Sequence, residues 1–278
     1  MTTHVIRVAC ADEAGLVHKI TGVLYRHGGN IVSYNEYVDA PTKQFFMRAT
    51  FVTAQEAGAI VPEVRALLAR GAMVELAPTG KRPIVVLATK EPHCLGDLLL
   101  RVAYEDFPAK ILAVISNYET LGPLVERLGF PFHYISHENR DRADHEREIH
   151  ACVAGYKPDY LVLAKYMRIL SPEFVARYPN RILNIHHSFL PAFMGASPYR
   201  QAYERGVKLI GATAHYVTND LDTGPIIAQA VIPVDHADSV ADMVQAGRDG
   251  EKVVLARALK LLLEERIFLH QHRTVIFE

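Results

Sequence analysis

The sequence predicts an α/β protein with a small ferredoxin-like βαββαβ domain and a larger Rossmann-like domain whose sheet is mostly parallel. Within the first 76 residues, short apolar runs alternate with helical periodicity in the order strand, helix, strand, strand, helix, strand. Residues 78–83, Pro-Thr-Gly-Lys-Arg-Pro, have a composition typical of a linker. Beyond the linker, continuous apolar runs alternate with amphipathic stretches, as in parallel sheets that helices cover on both faces. We therefore expect domains at 1–80 and 81–278.

The elements of the first domain follow from periodicity and from turn residues. Residues 5–10 form an apolar strand, and Gly28 and Gly29 end the helix that comes next. That helix is indicated by apolar residues at helical spacing, namely Leu16, Ile20, Val23 and Leu24. The remaining elements are predicted as a hairpin at 31–38 and 45–52, a helix at 55–69 and a strand at 73–76.

In the second domain, uninterrupted apolar runs predict buried strands. The strands are expected at 84–88, 111–115, 160–163 and 182–185, with helices at 97–104 and 123–128. Ser239 is a good N-cap for a long amphipathic helix that reaches about residue 263. Residues 266–269 and 274–277 are predicted to form a small terminal hairpin.

Composition narrows the classes of function. Half of the 278 residues are hydrophobic, so a large core is possible. The chain has 30 Lys and Arg against 31 Asp and Glu, which does not favour nucleic-acid binding through counterion release. The 3 cysteines are widely spaced and suggest neither a disulfide framework nor a zinc knuckle, so we expect a cytoplasmic protein. No apolar run reaches the length of a membrane span, so no membrane partner is expected.

The most informative segment is Asn-Ile-His-His-Ser-Phe-Leu-Pro at 184–191, which follows an apolar run. Because strand side chains alternate between faces, Asn184 and His186 point the same way at the end of a strand. Asp222 adds a carboxylate on an Asp-Thr-Gly-Pro turn. Such a trio can polarise a carbonyl group, orient a water molecule and move a proton. The trio includes no obvious nucleophile.

Two further segments accompany this trio: Leu-Ala-Lys-Tyr-Met-Arg-Ile-Leu-Ser-Pro at 163–172 and Thr-Ala-His-Tyr-Val at 213–217. Together, residues from about 83 to 263 resemble the 10-formyltetrahydrofolate-dependent formyltransferases, such as glycinamide ribonucleotide formyltransferase. The resemblance implies that Asn184, His186 and Asp222 surround the formyl group. It also implies a folate pocket, which we expect to involve Tyr166, Met167, Arg168, Leu170, His215, Val217, Thr218 and Leu221.

The first domain resembles the ACT domains in its segments Asp-Glu-Ala-Gly-Leu-Val at 12–17 and Gly-Asn-Ile at 29–31. ACT domains bind small amino acids at such loops, usually across a dimer interface. The resemblance implies an effector, with glycine or methionine as candidates, in a homodimer or homotetramer. The residues expected to bind it are Asp12, Gly15, Leu16 and Asn30.

The loop at 89–96 decides which molecule accepts the formyl group. In glycinamide ribonucleotide formyltransferase a glycine-rich loop at this place holds the phosphate of the acceptor. Here Pro92 lacks an N–H donor and Glu91 repels a phosphate, which leaves water as the simplest acceptor. With its ACT-like segment, nearly the whole chain resembles the formyltetrahydrofolate deformylase family. The resemblance implies hydrolysis of 10-formyltetrahydrofolate to tetrahydrofolate and formate in one-carbon metabolism, without a cofactor.

Several alternatives accompany this interpretation. The chain could pass the formyl group to an unphosphorylated amine, or it could be a non-catalytic protein that responds to an amino acid. Zinc on His186, His215 and Asp222 is conceivable, but no metal-ligand spacing supports it. Cys94 could be a nucleophile, although a buried small hydrophobe is the simpler interpretation. The charge-rich stretch at 141–150 is expected to be a solvated helix face, and His187 is expected to point away from His186.

Overall fold

The computed structural model describes residues 1–78, 80–192 and 198–278. Within it the chain divides into two compact units. The first comprises Met1–Gly80, Glu265–Phe268 and Val275–Glu278, and the second comprises Lys81–Glu264 and Leu269–Thr274. The division after Gly80 coincides with the expected linker. The terminal segments, however, belong to the first unit, whereas the sequence alone assigned them to the second.

The first unit has the predicted βαββαβ order. Its elements are β1 (Thr2–Ala11), α1 (Leu16–Arg26), β2 (Asn30–Asp39), β3 (Gln44–Thr53), α2 (Ile60–Ala66) and β4 (Met73–Leu76). The sheet has the strand order β2-β3-β1-β4, with antiparallel neighbours throughout. α2 is shorter than the helix predicted at 55–69, because a separate 3₁₀ turn, Ala57–Ala59, precedes it. This is the ferredoxin-like, ACT-like architecture that the sequence predicts.

Alternation along β1 gives this sheet two covered faces. Ile6 and Val8 are fully buried in the core beneath the helices, together with Leu24 of α1. Arg7 points to the opposite face, where its guanidinium lies 4.6 Å from the ring centre of Phe268 and its Nη1 donates to Glu265 at 2.6 Å. The terminal segments therefore add a second apolar layer to the first unit.

The second unit is a twisted α/β layer. Its elements, in chain order, are β5 (Arg82–Ala88), α3 (Pro92–Ala103), β6 (Ala109–Ser116), α4 (Gly122–Arg127), β7 (Phe132–Tyr134), α5 (Arg142–Tyr156), β8 (Tyr160–Ala164), α6 (Pro172–Ala176), β9 (Ile182–His186), α7 (Pro198–Glu204), β10 (Leu209–Tyr216), β11 (Ile226–Pro233) and α8 (Val240–Leu263). The strand order is β11-β10-β9-β8-β5-β6-β7. β5 to β9 are mutually parallel, while β10 and β11 run antiparallel to their neighbours. β12 (Ile267–His270) and β13 (Arg273–Ile276) form the predicted terminal hairpin.

Two expectations about helices in this unit are wrong. α3 begins at Pro92 rather than near residue 97, because proline at the first helical position needs no N–H partner and has a helical φ. The stretch at 141–150 is not simply a solvated face, since His145 is only 1% exposed and Glu146 only 7%. His145 Nε2 lies 3.0 Å from the carbonyl oxygen of Ile135, which satisfies the buried ring.

Among the described residues, no helix combines the length and the apolar character needed to cross a lipid bilayer.

Candidate active site

A cavity of about 330 Å³ opens at the carboxyl ends of β8 and β9. Parallel α/β sheets place ligands at this edge. Every residue that the sequence predicted for the catalytic and folate sites lines the cavity, namely Tyr166, Met167, Arg168, Leu170, Asn184, His186, His215, Val217, Thr218, Leu221 and Asp222. The structure therefore brings together three segments that lie apart in the sequence, at 166–170, 184–186 and 215–222.

β9 positions the amide and the imidazole. Asn184 and His186 occupy alternate positions on this strand and both face the cavity. The antiparallel register pairs Asn184 with His215 and His186 with Thr213 of β10. A residue pair on one face of β9 therefore has a second histidine directly beside it.

His186 and Asp222 form the first close contact. Nδ1 of His186 lies 3.3 Å from Oδ1 of Asp222, and both side chains are less than a tenth exposed. The other ring nitrogen, Nε2, is buried and has no hydrogen-bond partner in the described part of the chain. A buried polar atom without a partner is costly unless something else binds it, so Nε2 is available to a bound molecule.

Asn184 and His215 form the second contact. Nδ2 of Asn184 lies 3.2 Å from Nε2 of His215, whose Nδ1 lies 2.9 Å from the carbonyl oxygen of Tyr216. Since a carbonyl oxygen only accepts, Nδ1 carries the proton, and Nε2 accepts from Asn184. His215 Nε2 also lies 3.9 Å from Oδ1 of Asp222, which is too long for a hydrogen bond. His215 instead orients Asn184.

A tight turn carries Asp222 into the site. Asp222 has a φ of 56°, in the left-handed region that Asp tolerates better than most residues. A Cβ at Gly224 would lie 1.7 Å from the carbonyl oxygen of Tyr216, so only glycine fits there. The N–H of Tyr216 donates to the carbonyl oxygen of Pro225 at 3.0 Å. The Asp-Thr-Gly-Pro sequence thus fixes the carboxylate against the end of β10.

The surroundings keep Asp222 ionised. Burial alone raises the pKa of its carboxyl, but the hydrogen bond from His186 and the nearby charges of His186 and His215 outweigh burial, so the pKa lies below its usual value. Burial lowers the pKa of His215, which keeps this imidazole neutral and able to accept from Asn184. The site therefore combines an anionic carboxylate with a neutral second histidine.

The wall formed by residues after β8 has mixed polarity. Met167 and Ile169 are more than half exposed, whereas Tyr166 is buried. This wall ends at Ser171, which caps α6 by accepting from the N–H of Phe174. Glu146 accepts from the backbone N–H of Ser171 at 2.9 Å and from its hydroxyl group. The buried Glu146, which the sequence placed on a solvated face, therefore anchors the end of the cavity wall.

His187 differs from its expectation. It is partly buried, but it lines the same cavity as His186, and the two rings lie 5.2 Å apart. Burial, followed by the charge of Lys165, lowers the pKa of His187 to about 4, so this ring is neutral at pH 7. β9 ends at His186, so strand alternation does not fix the direction of the His187 side chain.

Sequence reasoning missed a second polar group near the start of α3. His93 Nε2 lies 2.8 Å from Glu251 Oε2, and Lys165 Nζ lies 3.2 Å from the same oxygen. Lys165 lines the cavity, but Glu251 belongs to the long helix α8, where an amphipathic pattern gave no sign of a buried carboxylate. Only the packing of α8 onto α3 brings these groups together.

Among the described residues, one group has donor atoms close enough together to hold a metal ion: His93, Cys94 and Glu251, with ligand atoms within 4.8 Å of one another. The trio of His186, His215 and Asp222, which the sequence offered as a zinc alternative, does not form such a group. Cys94 is buried, and burial raises the pKa of its thiol, so it is present as a thiol rather than as a metal-binding thiolate. A small buried hydrophobe is the role that fits this cysteine.

Comparison with known proteins assigns the class of this fold and site. Residues 82–259 match the formyl transferase family, so the second unit is a formyl transferase domain. The formyltetrahydrofolate deformylase of Escherichia coli strain K12 is 53% identical over 98% of this chain and 97% of its own length. That of Bacillus subtilis strain 168 is 44% identical over 97% and 92%. The chain belongs to the formyltetrahydrofolate deformylase family.

Solved structures show the same relationship. A formyltetrahydrofolate deformylase from Pseudomonas syringae pv. tomato superposes with a TM-score of 0.94 at 38% identity, covering 99% of this chain and 94% of the other. A glycinamide ribonucleotide transformylase from Symbiobacterium toebii superposes with a TM-score of 0.68 at 32% identity. It covers 71% of this chain and 95% of its own. The transformylase thus matches only part of this chain, while the deformylase matches nearly all of it.

Proposed function

We propose that this protein hydrolyses 10-formyltetrahydrofolate to tetrahydrofolate and formate. The observation that carries the proposal is the convergence of Asn184, His186 and Asp222 on one cavity, with Nε2 of His186 left without a partner among the described residues. The family relationship supports the same reaction. Hydrolysis needs a polarised carbonyl, an oriented water and a proton relay, and these three side chains can supply all of them.

The folate would bind along the segment after β8 and the loop after β10. Met167, Ile169 and Leu221 are each more than half exposed at the cavity, and exposed apolar side chains of this size are suited to a flat heterocycle. Arg168 offers a cation to a carboxylate of the ligand. The polar atoms of Thr218 and Tyr166 complete the pocket. Binding there would place the formyl group beside β9.

The chemistry begins when a water oxygen attacks the formyl carbon. One N–H of Asn184 is held by His215, and its second N–H donates to the formyl oxygen as that oxygen becomes negative. Nε2 of a protonated His186 donates to the same oxygen, and Asp222 balances the charge of the imidazolium. The carboxylate also takes the proton that the attacking water loses. Each donor of this kind contributes about 3–4 kcal/mol to the transition state.

The carbon–nitrogen bond then breaks. N10 leaves as an amine and takes the proton that Asp222 received from the attacking water, so Asp222 is again a carboxylate and His186 again protonated. The formic acid released loses its proton to solvent, and the products are tetrahydrofolate and formate. No covalent enzyme intermediate is needed.

Formate release tests this proposal directly. Purified protein is incubated with 10-formyltetrahydrofolate alone and with a panel of unphosphorylated amines, and formate and formylated amines are both quantified. We expect stoichiometric formate without any amine. A protein that consumes the folate only when an amine is present, and that formylates the amine, is a transferase, and the hydrolase proposal is then wrong.

The ACT-like unit is proposed to bind a small amino acid and to join chains into a homodimer or homotetramer. Asp12, Gly15 and Asn30 are exposed, whereas the side chain of Leu16 is buried in the core and is not free to contact a ligand. β2 is an edge strand of ten residues, and an unpaired edge favours pairing with a second copy. Glycine and methionine are the effectors we propose, because the reaction consumes one-carbon units.

We also propose that the reaction needs no cofactor and takes place in the cytoplasm. The proposed steps use water and side chains only. All three cysteines are free, which fits a reducing compartment.

A further inference from the structure

A cluster of polar and charged side chains adjoins the candidate active site through Lys165, which lines the cavity. We call it the switch-point cluster, and it consists of Glu91, His93, Lys165, Tyr199, Arg248 and Glu251. Glu251 is fully buried and receives three contacts: Tyr199 Oη at 2.7 Å, His93 Nε2 at 2.8 Å and Lys165 Nζ at 3.2 Å. The cluster therefore has an organised centre rather than a loose set of surface charges.

The cluster lies where this fold offers a site for an anion. From β5 the chain moves to β6 and β7 on one side and returns to β8 on the other, so the strand order reverses between β5 and β8. Crevices at such reversals bind ligands, and a helix N-terminus beside one attracts negative charge. Glu91 directly precedes α3, and Lys165 directly follows β8. Two carboxylates of the protein thus occupy the position that suits a bound anion.

The cations of the cluster are matched by these carboxylates. Arg248 Nε lies 3.1 Å from Glu91 Oε2, and Lys165 Nζ lies 3.9 Å from the other oxygen of Glu91. Lys165 is 4% exposed, so it has little access to water and depends on its carboxylate partners. The side chains of Arg248 and Glu91 are 43% and 31% exposed. Glu91 therefore stands between solvent and the buried ammonium group.

A metal ion does not explain the cluster. His93, Cys94 and Glu251 could supply three ligand atoms, but the ammonium group of Lys165 already contacts the carboxylate at 3.2 Å. An ion bound to Glu251 would face that ammonium group at close range. The cation that balances Glu251 is therefore part of the chain.

We propose that Glu91 and Glu251 are specificity-determining residues that supply the anion for Lys165 and Arg248 and so exclude a phosphorylated acceptor from the site. This inference rests on the proposed hydrolysis, since it explains why water rather than a phosphorylated amine meets the formyl group. Glu91, which is partly exposed, pairs with Arg248 and lies near Lys165. The buried Glu251 holds the ammonium group of Lys165 in place. Neither residue is proposed to touch the reacting atoms.

Binding of inorganic phosphate tests the proposal. Glu91→Gln keeps the size of the side chain but removes its charge. Arg248 then loses its carboxylate partner, and Lys165 loses one of the two carboxylates near its ammonium group. We expect calorimetric titration at constant ionic strength to show affinity for phosphate at least about tenfold higher in Glu91→Gln than in the unmodified protein. In the presence of 10-formyltetrahydrofolate, phosphate should also inhibit formate release by Glu91→Gln more strongly.

The matched control is Glu105→Gln, which removes a carboxylate from the exposed pair with Lys81. It should bind phosphate no better than the unmodified protein. Equal phosphate affinity in Glu91→Gln and the unmodified protein, or an equal gain in Glu105→Gln, would overturn the proposal. Because calorimetry needs no turnover, this result is independent of whether the reaction is hydrolysis. Glu251→Gln provides a second test, since it should add to the phosphate affinity of Glu91→Gln if the double variant folds, as judged by circular dichroism.

Discussion

Nδ2 of Asn184 lies 3.2 Å from Nε2 of His215, and this contact decides which way the amide of Asn184 is turned at the cavity. The histidine is fixed in turn, because its Nδ1 lies 2.9 Å from the carbonyl oxygen of Tyr216. Burial lowers the pKa of His215, and a neutral ring is required for Nε2 to accept. Through this chain of contacts, β10 sets the orientation of a side chain on β9.

His215→Ala should therefore lower kcat by about 10–100-fold while changing KM little, because a misplaced donor weakens the transition state more than substrate binding. Steady-state formate release across a range of folate concentrations gives both constants. His236→Ala, at an exposed position of the same unit, serves as the control and should leave both constants unchanged. A rise in KM with unchanged kcat would assign His215 to substrate contact instead.

Asn184→Ala, His186→Ala and Asp222→Asn should each lower kcat by about 10²–10³-fold, the usual loss for one donor or relay group in an acyl-transfer site. Since His186 and Asp222 act as a unit, the double variant should be scarcely slower than the slower single variant. Rates come from formate release, and thermal unfolding checks that each variant folds. Near-normal turnover in all three single variants would show that the reaction occurs elsewhere.

Much of this site could be predicted from sequence, because its parts lie in short segments. Alternation on one strand placed Asn184 and His186 together, and an Asp-Thr-Gly-Pro turn marked Asp222. The role of His215 could not be read in this way, because it depends on the register between β9 and β10. The burial of Glu251 could not be predicted either, since its surroundings are set by how α8 packs and not by its neighbours along the chain.

Exhaustive chelation should leave the rate of formate release unchanged, because the proposed steps need no metal. Cys94→Ala should likewise retain most activity, since burial raises the pKa of the thiol and disfavours a reactive thiolate. The rates are compared before and after dialysis against a chelator, with zinc added back as a control. A loss that zinc restores, or a formyl group trapped on Cys94, would contradict the proposed mechanism.

Glu251 should make stability depend on pH in the acidic range. Burial raises its pKa, but the hydrogen bond from His93, the charge of Lys165 and the hydrogen bond from Tyr199 lower it to about 2, against 4.5 for an ordinary Glu. Because the folded pKa is depressed, the stabilisation is complete above pH 4.5 and is lost as the pH falls towards 2. The difference corresponds to about 3 kcal/mol.

Urea unfolding between about pH 3 and 7 gives the free energy of unfolding of the unmodified protein and of Glu251→Gln, and the difference between the two curves measures this effect. The variant should be less stable at pH 7 because Lys165 loses its buried partner, and its stability should fall less steeply below about pH 4.5. Parallel curves for the two proteins would mean that Glu251 does not titrate in this range. His187, whose pKa burial lowers to about 4, titrates in the same range, and its contribution differs between the two proteins because the charge of Glu251 raises that pKa.

The overall fold was predictable for a different reason than the site. Runs such as Ile84 to Ala88 and alternation such as Ile6, Val8 and Cys10 record burial directly in the sequence. The buried His145 and Glu146 were misjudged because they are charged or polar residues satisfied by distant backbone and hydroxyl partners. Likewise, Phe268 and Phe277 carry no signal of the unit to which they belong, because their partner, Phe46, lies far away in the chain.

Gly15 has a φ of 85° and directly precedes α1. A Cβ at this position would meet no atom within 4 Å, so a larger side chain fits, at a backbone cost of about 1–2 kcal/mol. Gly15→Val would project a branched side chain into the exposed loop beside Asp12, where we propose that glycine or methionine binds. The variant should therefore lose the response to these amino acids but keep the rate of formate release measured without them.

Gly58→Ala, also in open space and without a positive φ, controls for a general effect on the unit. An effector changes activity only if it binds two states of the enzyme with different affinity, so calorimetry and kinetics are both needed. If neither amino acid binds the unmodified protein and the rates stay flat, the ACT-like unit has no effector among those proposed and serves assembly alone.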